Sequence, residues 1–518
     1  MKILFVNPSL RPGAPHRYIP VGLGYIVTCV RDAGFTFDLL DIDIGRYDDA
    51  YVENYMRTHK YDVVAVGSIV THYKWVKWFI NLTKSYNPDC KFIVGNSVGG
   101  SIPEVIFNYT KADIVIKGEA DVTIVEVLEH LRDGKPLGRI VEPPTPLPHA
   151  NGELPPTYKA TGVEGIIFRA DNGQILNTGA RKAVKDINTL PYPDWDLFDV
   201  EEYIKCSHYL ARHTTRFTKE EAVVFPVNTA RGCVFKCTFC HYVYWNDPYR
   251  HRSAASVIGE IRRNQQKYGA NYIEFWDELS FHKIGPTEKF LDELIEADLN
   301  IHFNCAVRSD LFGRDDIDRA DRLRVATKFK DAGAIALGFS LESGDDGILE
   351  AMNKRVKSSY FDEQVKLLRE VGLVADTSLV IGYPQETPET IKKTMDMCRR
   401  NRIYPSVGFL LPLPATGMWD HALEHGFITN IDRYLVEMTE RQDLVLNMTS
   451  MSDDQMLGLV KQSLKDLNQE FGNALAEENL IKTGGYAKHN EHLDKEMLVM
   501  RNRLSNESLN MAVVTGAV

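Results

Sequence analysis

Cysteines 233, 237 and 240 stand in the run Arg231-Gly-Cys-Val-Phe-Lys-Cys-Thr-Phe-Cys240, a C-x3-C-x2-C spacing that lets one loop present three thiolates to one iron–sulfur cluster. A cubane cluster has four irons, so three protein thiolates leave one iron open. An open metal position is where a catalytic site takes its substrate, whereas pure electron carriers close the cluster with a fourth cysteine. The competing reading is a structural zinc knuckle with His241 as fourth ligand. The other five cysteines (Cys29, Cys90, Cys206, Cys305, Cys398) are scattered without the spacing of a disulfide framework, a usage that fits a cytoplasmic, reducing compartment.

A chain of 518 residues implies two or three domains, each with its own core, and 44% hydrophobic with 25% charged residues is a globular composition. The N-terminal run Met-Lys-Ile-Leu-Phe-Val-Asn-Pro is broken at Pro8, too brief for a signal segment, and reads as a first buried strand. No apolar stretch approaches the ~20 residues that span a bilayer, so no membrane association is expected. A formal charge of −11 with no dense Lys/Arg block argues against nucleic-acid binding, which relies on neutralising phosphates. A small-molecule substrate is expected.

The elements that must position the cysteines come in two alternating series. In the first, residues 3–6, 37–40, 63–66, 92–94 and 114–116 read as strands with amphipathic helices between them, which predicts a doubly wound, Rossmann-like α/β domain over residues 1–140. Such sheets bind ligands at the carboxyl ends of their strands. Those ends carry Ser9, Ser68, Thr71, His72, Gly95, Gly99, Gly100, Gly118 and Glu119 as candidate binding residues. Ordinary turn chemistry explains the same residue types, and a lone histidine at a helix start, as His72 is, is more often a cap or surface residue.

Residues 141–215 read as a connector, rich in proline at first, with a hairpin around Asp171-Asn-Gly173 and an end at Leu190-Pro-Tyr-Pro-Asp-Trp195. The second series spans residues 216–430, with strands expected at 223–227, 272–276, 301–306, 336–341, 376–381 and 406–411. The cysteines fall just past its first strand, at the end where barrel chemistry gathers. Cys305, ending the third strand, reads as a hydrogen donor or as a small buried hydrophobe. His241, Tyr244, Trp245 and Tyr249 follow the cysteines and either face a ligand or pack. Residues 431–518 turn helical and charged, with Met451-Ser-Asp-Asp-Gln455 as a helix start and a frayed tail past Lys482.

The cysteine spacing, with Phe239 just before the last cysteine, resembles the radical S-adenosylmethionine (SAM) superfamily. The resemblance implies a [4Fe-4S] cluster whose open iron binds the amino and carboxylate groups of SAM, and a reduced cluster that cleaves it to a 5′-deoxyadenosyl radical. The six strand–helix units suit that family's partial (β/α)6 barrel. Phe275-Trp-Asp-Glu-Leu-Ser-Phe281, Leu337-Gly-Phe-Ser-Leu-Glu-Ser-Gly344 and Ile381-Gly-Tyr-Pro-Gln-Glu-Thr387 resemble family elements in the right order. They imply Asp277 or Glu278 at the SAM amino group, Arg308 at its carboxylate, Ser340 and Glu342 near the ribose, Pro384 at the adenosine pocket, and Phe239 beside the cofactor.

The first ~130 residues, with Pro20-Val-Gly-Leu-Gly-Tyr25 and Gly118-Glu-Ala-Asp121, resemble the cobalamin-binding domain that precedes many radical SAM domains. The Asp-x-His-x-x-Gly motif that ligates cobalt in methionine-synthase-like proteins is absent, as in many members of this subgroup. His72 is then the residue able to approach the lower face of cobalt. The resemblance implies a class B, cobalamin-dependent radical SAM methyltransferase with an external flavodoxin- or ferredoxin-type electron donor. It leaves open cyclisation, rearrangement or oxidation without methyl transfer, as in the oxidative cyclase of bacteriochlorophyll synthesis, and a non-catalytic corrinoid or SAM sensor. A methylthiotransferase would need a second cysteine trio, which the chain lacks.

Overall fold

The computed structural model describes residues 1–14, 16–145, 156–211, 214–241, 247–473 and 475–481. Strands β1 (Ile3–Asn7), β2 (Asp38–Asp41), β3 (Val63–Gly67), β4 (Lys91–Gly95) and β5 (Ile114–Ile116) form a parallel sheet in the order β2-β1-β3-β4-β5. Each strand lies within one residue of its expected bounds at either end. Their unbroken apolar runs are explained by burial on both faces. Leu4, Val6, Val64 and Val66 pack against Val76, Phe79 and Ile106, while Ile3, Phe5, Val63 and Ala65 pack against Tyr25, Val27 and Val127. The strand order reverses between β1 and β3, which opens a crevice at the carboxyl ends.

The sheet continues into the stretch read as a connector. Strands β6 (Gly138–Thr145), β7 (Thr157–Gly162), β8 (Ile166–Arg169) and β9 (Ile175–Asn177) extend it to nine strands, β8 antiparallel to β5. The hairpin expected at Asp171-Asn-Gly173 joins β8 to β9, with Gly173 at φ +83°. Of the prolines that suggested a linker, Pro143 and Pro144 lie on β6, the outermost strand, where a missing N–H costs no ladder bond, and Pro146, Pro148 and Pro155 lie outside the described residues.

Trp195, at the end of the proline-rich entry, is fully buried against helix α1 (Val21–Asp32). The Asp194 amide donates to Thr28 Oγ1 across the same contact at 2.9 Å. Gly24 leaves room for the indole: a Cβ there would stand 2.6 Å from Trp195 Cζ3.

The second unit starts with β10 (Val224–Val227), followed by a short antiparallel ribbon of β11 (Ala230–Arg231) and β12 (Arg250–His251). Strands β13 (Tyr272–Phe275), β14 (His302–Ala306), β15 (Ala334–Gly338) and β16 (Val374–Asp376) complete a parallel sheet in the order β10-β13-β14-β15-β16. Strands β17 (Ser378–Ile381) and β18 (Ser406–Phe409) form a parallel pair beside it. One strand was expected over 376–381; it breaks at Thr377. There Thr377 Oγ1 donates to the Phe339 carbonyl at 2.9 Å and accepts from the Leu341 amide at 3.0 Å, standing in for the ladder where the pairing shifts. The outcome is a partial barrel of parallel strands with helices outside.

After the barrel, helix Asp453–Glu470 is capped by Ser452, whose Oγ accepts from the Gln455 amide at 3.2 Å, as the sequence pattern predicts. It buries Met456, Val460, Leu464 and Leu467 in the same apolar cluster as Leu379 and Val407. The tail past Lys482, like Tyr244 and Trp245, lies outside the described residues. Among the described residues no helix is long and apolar enough to cross a membrane.

The packing at Trp195 generates a paired test on one helix. Gly24→Ala should cost about 1–3 kcal/mol by overpacking the indole. Gly22→Ala, where a Cβ would meet nothing within 4 Å, should be neutral or stabilise by up to about 1 kcal/mol. Urea midpoints of the two variants measure the difference; equal midpoints would refute the contact.

Candidate active site

The cysteine loop leaves the barrel at the carboxyl end of β10 and is held at its root by Asp277. That carboxylate accepts from the amides of Thr229 (2.9 Å) and Ala230 (3.1 Å), from the Thr229 and Ser280 hydroxyls, and from Asn228 Nδ2 at 3.1 Å. Asp277 was expected at the SAM amino group. The structure engages both its oxygens in shaping the lead-in to the cysteines, because the β10 and β13 ends are adjacent in the sheet. Its neighbour Glu278 is exposed. Surrounding protein pushes the Glu278 carboxyl up to about 7, reinforced by Asp277 and Glu119 and opposed by Arg231.

Around the loop itself, partners come from distant elements. Thr238 donates its amide to the Met352 carbonyl at 3.0 Å, and its hydroxyl meets the Tyr383 hydroxyl at 2.8 Å. The Asn353 side chain donates to the Lys236 carbonyl at 2.7 Å. Phe239 is buried edge-on to Tyr383, and the Arg441 guanidinium lies 5.9 Å from the Phe239 ring centroid. Arg308, expected at the SAM carboxylate, stacks 3.3 Å from the Phe235 centroid and donates to the Lys354 carbonyl at 2.7 Å and to Asp310 at 3.1 Å. The three thiols are half-buried.

Cys237 faces the most polar part of the site. Burial pushes its thiol up, Lys354 and Arg308 pull it down, and Glu342 and Cys233 raise it further. Glu342 is buried and accepts from Lys354 Nζ at 2.7 Å, with side chains 6% and 11% exposed. It also sits at φ +61°, a left-handed conformation unusual for a glutamate. Ser340, half-buried at the mouth, pairs with Ser378 at 2.7 Å between hydroxyl oxygens. Pro384 follows Gly382 (φ +110°) in a turn braced by Glu386, whose carboxyl burial pushes up to about 7 and which accepts from Thr390 at 2.7 Å. Cys305 is buried in the apolar cluster with its thiol pushed well up by burial, the small-hydrophobe reading of the two.

On the first domain, the strand-end residues divide into two groups. Ser9 donates to Asp43 at 2.6 Å, Gly99 packs so closely on β4 that a Cβ would lie 2.9 Å from the Val94 carbonyl, and Glu119 is held by Arg250 at 2.6 Å and 2.9 Å. These three serve internal structure. Gly95 and Gly118 (φ +81°) have nothing within 4 Å of an added Cβ, Gly100 is buried beside Gly99 in the short helix Asn96–Gly100, and Thr71 Oγ1 is buried with no hydrogen-bond partner among the described residues. Ser68 pairs with His72 Nδ1 at 3.1 Å; burial pushes His72 down to about 4, so its imidazole is neutral at pH 7. The His72 ring lies parallel to Trp75 at 5.3 Å.

These residues fit the groups that the sequence implies. Among the described residues no group of three His, Cys, Asp or Glu is placed to hold a single ion; Cys233, Cys237 and Cys240 are the thiols that would sit at three corners of a cube. Thr439 Oγ1 and Gln442 Oε1 are further buried atoms without a hydrogen-bond partner among the described residues. They flank Glu440, which grips Arg11 of the first domain at 2.7 Å, and Arg441, which covers Phe239. Lys354, Thr238, Tyr383, Arg441 and Arg231 escaped the sequence reading. Only Arg231, two residues before the first cysteine, had a local signal that could have marked it.

Known proteins match along this architecture. The radical SAM superfamily model matches residues 227–398 and the B12 binding domain model residues 14–128. The anaerobic magnesium-protoporphyrin IX monomethyl ester cyclase of Rubrivivax gelatinosus is 23% identical over 77% of this chain, which spans 66% of the cyclase. An uncharacterized methyltransferase of Pyrococcus horikoshii is 24% identical over 83% of this chain and 85% of its own length. The cytidylyl-2-hydroxyethylphosphonate methyltransferase of Streptomyces wedmorensis is 23% identical over 86% and 85%. Among solved structures, the methyltransferase TsrM from Kitasatospora setae, with cobalamin and a [4Fe-4S] cluster bound, aligns with a TM-score of 0.59 at 17% identity over 82% and 78% of the two chains. OxsB with aqua-cobalamin and SAM aligns at 0.60 with 16% identity over 92% and 62%. At these identities the two structures establish the shared fold.

The buried Glu342–Lys354 pair makes its own prediction. Lys354→Met strands a buried carboxylate and should destabilise the apoprotein by about 3–5 kcal/mol, most of it recovered by adding Glu342→Gln. Denaturant titration of both variants checks this, and an additive double variant would show that the two side chains are not coupled.

Proposed function

Because the chain belongs to the radical SAM enzymes that carry a B12 binding domain, we propose that it transfers a methyl group to an unactivated carbon of a small metabolite or natural-product intermediate. The observation that supports the reading is the meeting of the three-thiol loop with a strand end of the first domain, through Asp121 on Arg231 and Glu119 on Arg250. When bound, the cluster and SAM supply a 5′-deoxyadenosyl radical that takes hydrogen from carbon, and the corrinoid supplies the methyl group.

The chain's own residues have the following parts. Cys233, Cys237 and Cys240 hold iron, and Lys354 and Arg308 place positive charge beside Cys237. Both cations are held in place, Lys354 by Glu342 and Arg308 by backbone carbonyls and Asp310, as the positive charge that a SAM carboxylate would meet. The Ser340–Ser378 hydroxyl pair offers donors and acceptors to a ribose. Glu278, poised near neutrality, can hold or release a proton at its carboxyl oxygen where substrate or the SAM amino group enters. Gly95 and Gly118 let a large ring approach the first domain's backbone, and the neutral His72, oriented by Ser68 on Nδ1, presents Nε2. A flavodoxin- or ferredoxin-type donor in the cytoplasm would supply the electron.

Relatives named as cyclases favour a second reading, a radical reaction without methyl transfer. One experiment separates the two. The protein is reconstituted anaerobically with iron, sulfide and hydroxocobalamin, then reduced with SAM carrying a deuterated methyl group and offered candidate substrates. The expected result is about four irons per chain, 5′-deoxyadenosine, and a product that gains the label. Cys233→Ala should lose the iron and the deoxyadenosine together. Deoxyadenosine with an unlabelled product would replace methylation by the second reading, and a parent protein that binds no iron would end both.

A further inference from the structure

We propose that Glu119 and Asp121, in the turn after β5, are positioning residues for the cysteine loop, acting through Arg231 and Arg250. The inference rests on the reading that this loop holds the cluster. It assigns the two carboxylates of the Gly118-Glu-Ala-Asp121 motif to the cluster site of the other domain rather than to the corrinoid.

The argument starts from the stem of the loop. β11 and β12 are its two ends, paired with Ala230 opposite His251 and Arg231 opposite Arg250. Strands of two residues do not hold together alone, and like charges directly opposite each other push such a pair apart. The first domain supplies what the stem lacks. Asp121 takes Arg231 in a two-pronged contact, at 2.8 Å to Nη1 and 3.0 Å to Nη2. Glu119 takes Arg250 in the same way at 2.9 Å and 2.6 Å, and stands 3.6 Å from Arg231 as well.

Both contacts are shielded, with side chains 5% exposed at Asp121 and 7% at Arg250. The Arg231 guanidinium also lies 4.8 Å from the Tyr25 ring centroid of helix α1. Matched forks of this kind fix geometry in two dimensions, which a point charge does not. Gly232 then turns at φ +81°, its Cβ position 2.9 Å from the Pro248 carbonyl, and Cys233 follows. The chain therefore enters the cysteine run from a stem whose spacing is set by two carboxylates of the other domain.

Full-length protein, reconstituted anaerobically with iron, sulfide and hydroxocobalamin, tests this with Asp121→Asn and Glu119→Gln. The readouts are the rate of iron release to a ferrous chelator, the electron paramagnetic resonance spectrum of the reduced cluster, and cobalamin bound per chain by absorbance. Iron release should rise about 10- to 100-fold, as when an outer-shell partner of a metal site is lost, with cobalamin binding unchanged. Arg231→Lys keeps the charge without the fork, should fall between, and carries the test if the acid variants fail to fold. Arg11→Met breaks a different interdomain pair, with Glu440, and should leave iron release at the parent rate. The proposal is overturned if the folded variants keep iron as the parent does, if Arg11→Met releases it as fast, or if cobalamin is lost while the cluster stays. A parent protein without iron would instead strike the functional reading itself.

Discussion

Three thiols that are to hold one rigid cube, as proposed, require a loop that has given up its freedom, and the loop has little internal structure with which to do so. Between Cys233 and Cys240 the local contribution is a single turn, the Cys240 amide to the Cys237 carbonyl at 3.1 Å. Ordering each backbone residue costs about 1–2 kcal/mol, so the restraint must come from outside. It comes from every side: Asp277 beneath, Asn353 and Met352 alongside, Tyr383 and Arg441 on the far wall, and the Arg231 stem. The barrel is thus less a container than a frame that converges on these eight residues.

That frame includes the first domain. One apolar cluster runs from Ile3 and Phe5 through Tyr25 and Trp195 to Phe225 and Ile273, so the two sheets share a core. Apolar burial gives such an interface its stability but no fixed angle, since the hydrophobic effect is non-directional. The polar contacts supply direction at separate points: Arg231 and Arg250 near the cysteines, Lys77 and Tyr73 on Asp432, and Arg11 on Glu440. Three such points fix a rotation that packing alone leaves loose.

What the sequence made legible follows from how far each signal reaches. Strand bounds in the first domain could be read because a buried parallel strand is an apolar run whatever it pairs with. The cysteine trio could be read because its ligand spacing is local. Asp277 shows the limit: the motif places it at the mouth, yet its oxygens are claimed by Thr229 and Ala230, which reach it only because β10 and β13 pair. Glu119 is the same case across domains. Lys354 and Arg441 carried no signal, since their importance lies in partners 12 and 202 residues away. The break at Thr377 was hidden because a threonine in an apolar run looks like any strand residue.

Backbone strain marks the same place independently. Among the described residues ten other than glycine adopt positive φ, and four of them surround the loop. Glu342 pairs with Lys354, Asn353 holds the Lys236 carbonyl, the Arg355 carbonyl lies 3.4 Å from Arg308 Nη2, and Arg441 covers Phe239. Each such conformation costs on the order of 1–3 kcal/mol and persists only where its surroundings overdetermine it. For Arg441 the surroundings are visible: its carbonyl accepts from the Phe409 amide at 2.9 Å, which fastens the segment to the last barrel strand. A C-terminal region without recognisable motifs is therefore bent against its own preference to put a cation on the cysteine loop, and cations near an iron–sulfur cluster are among the levers that set its potential.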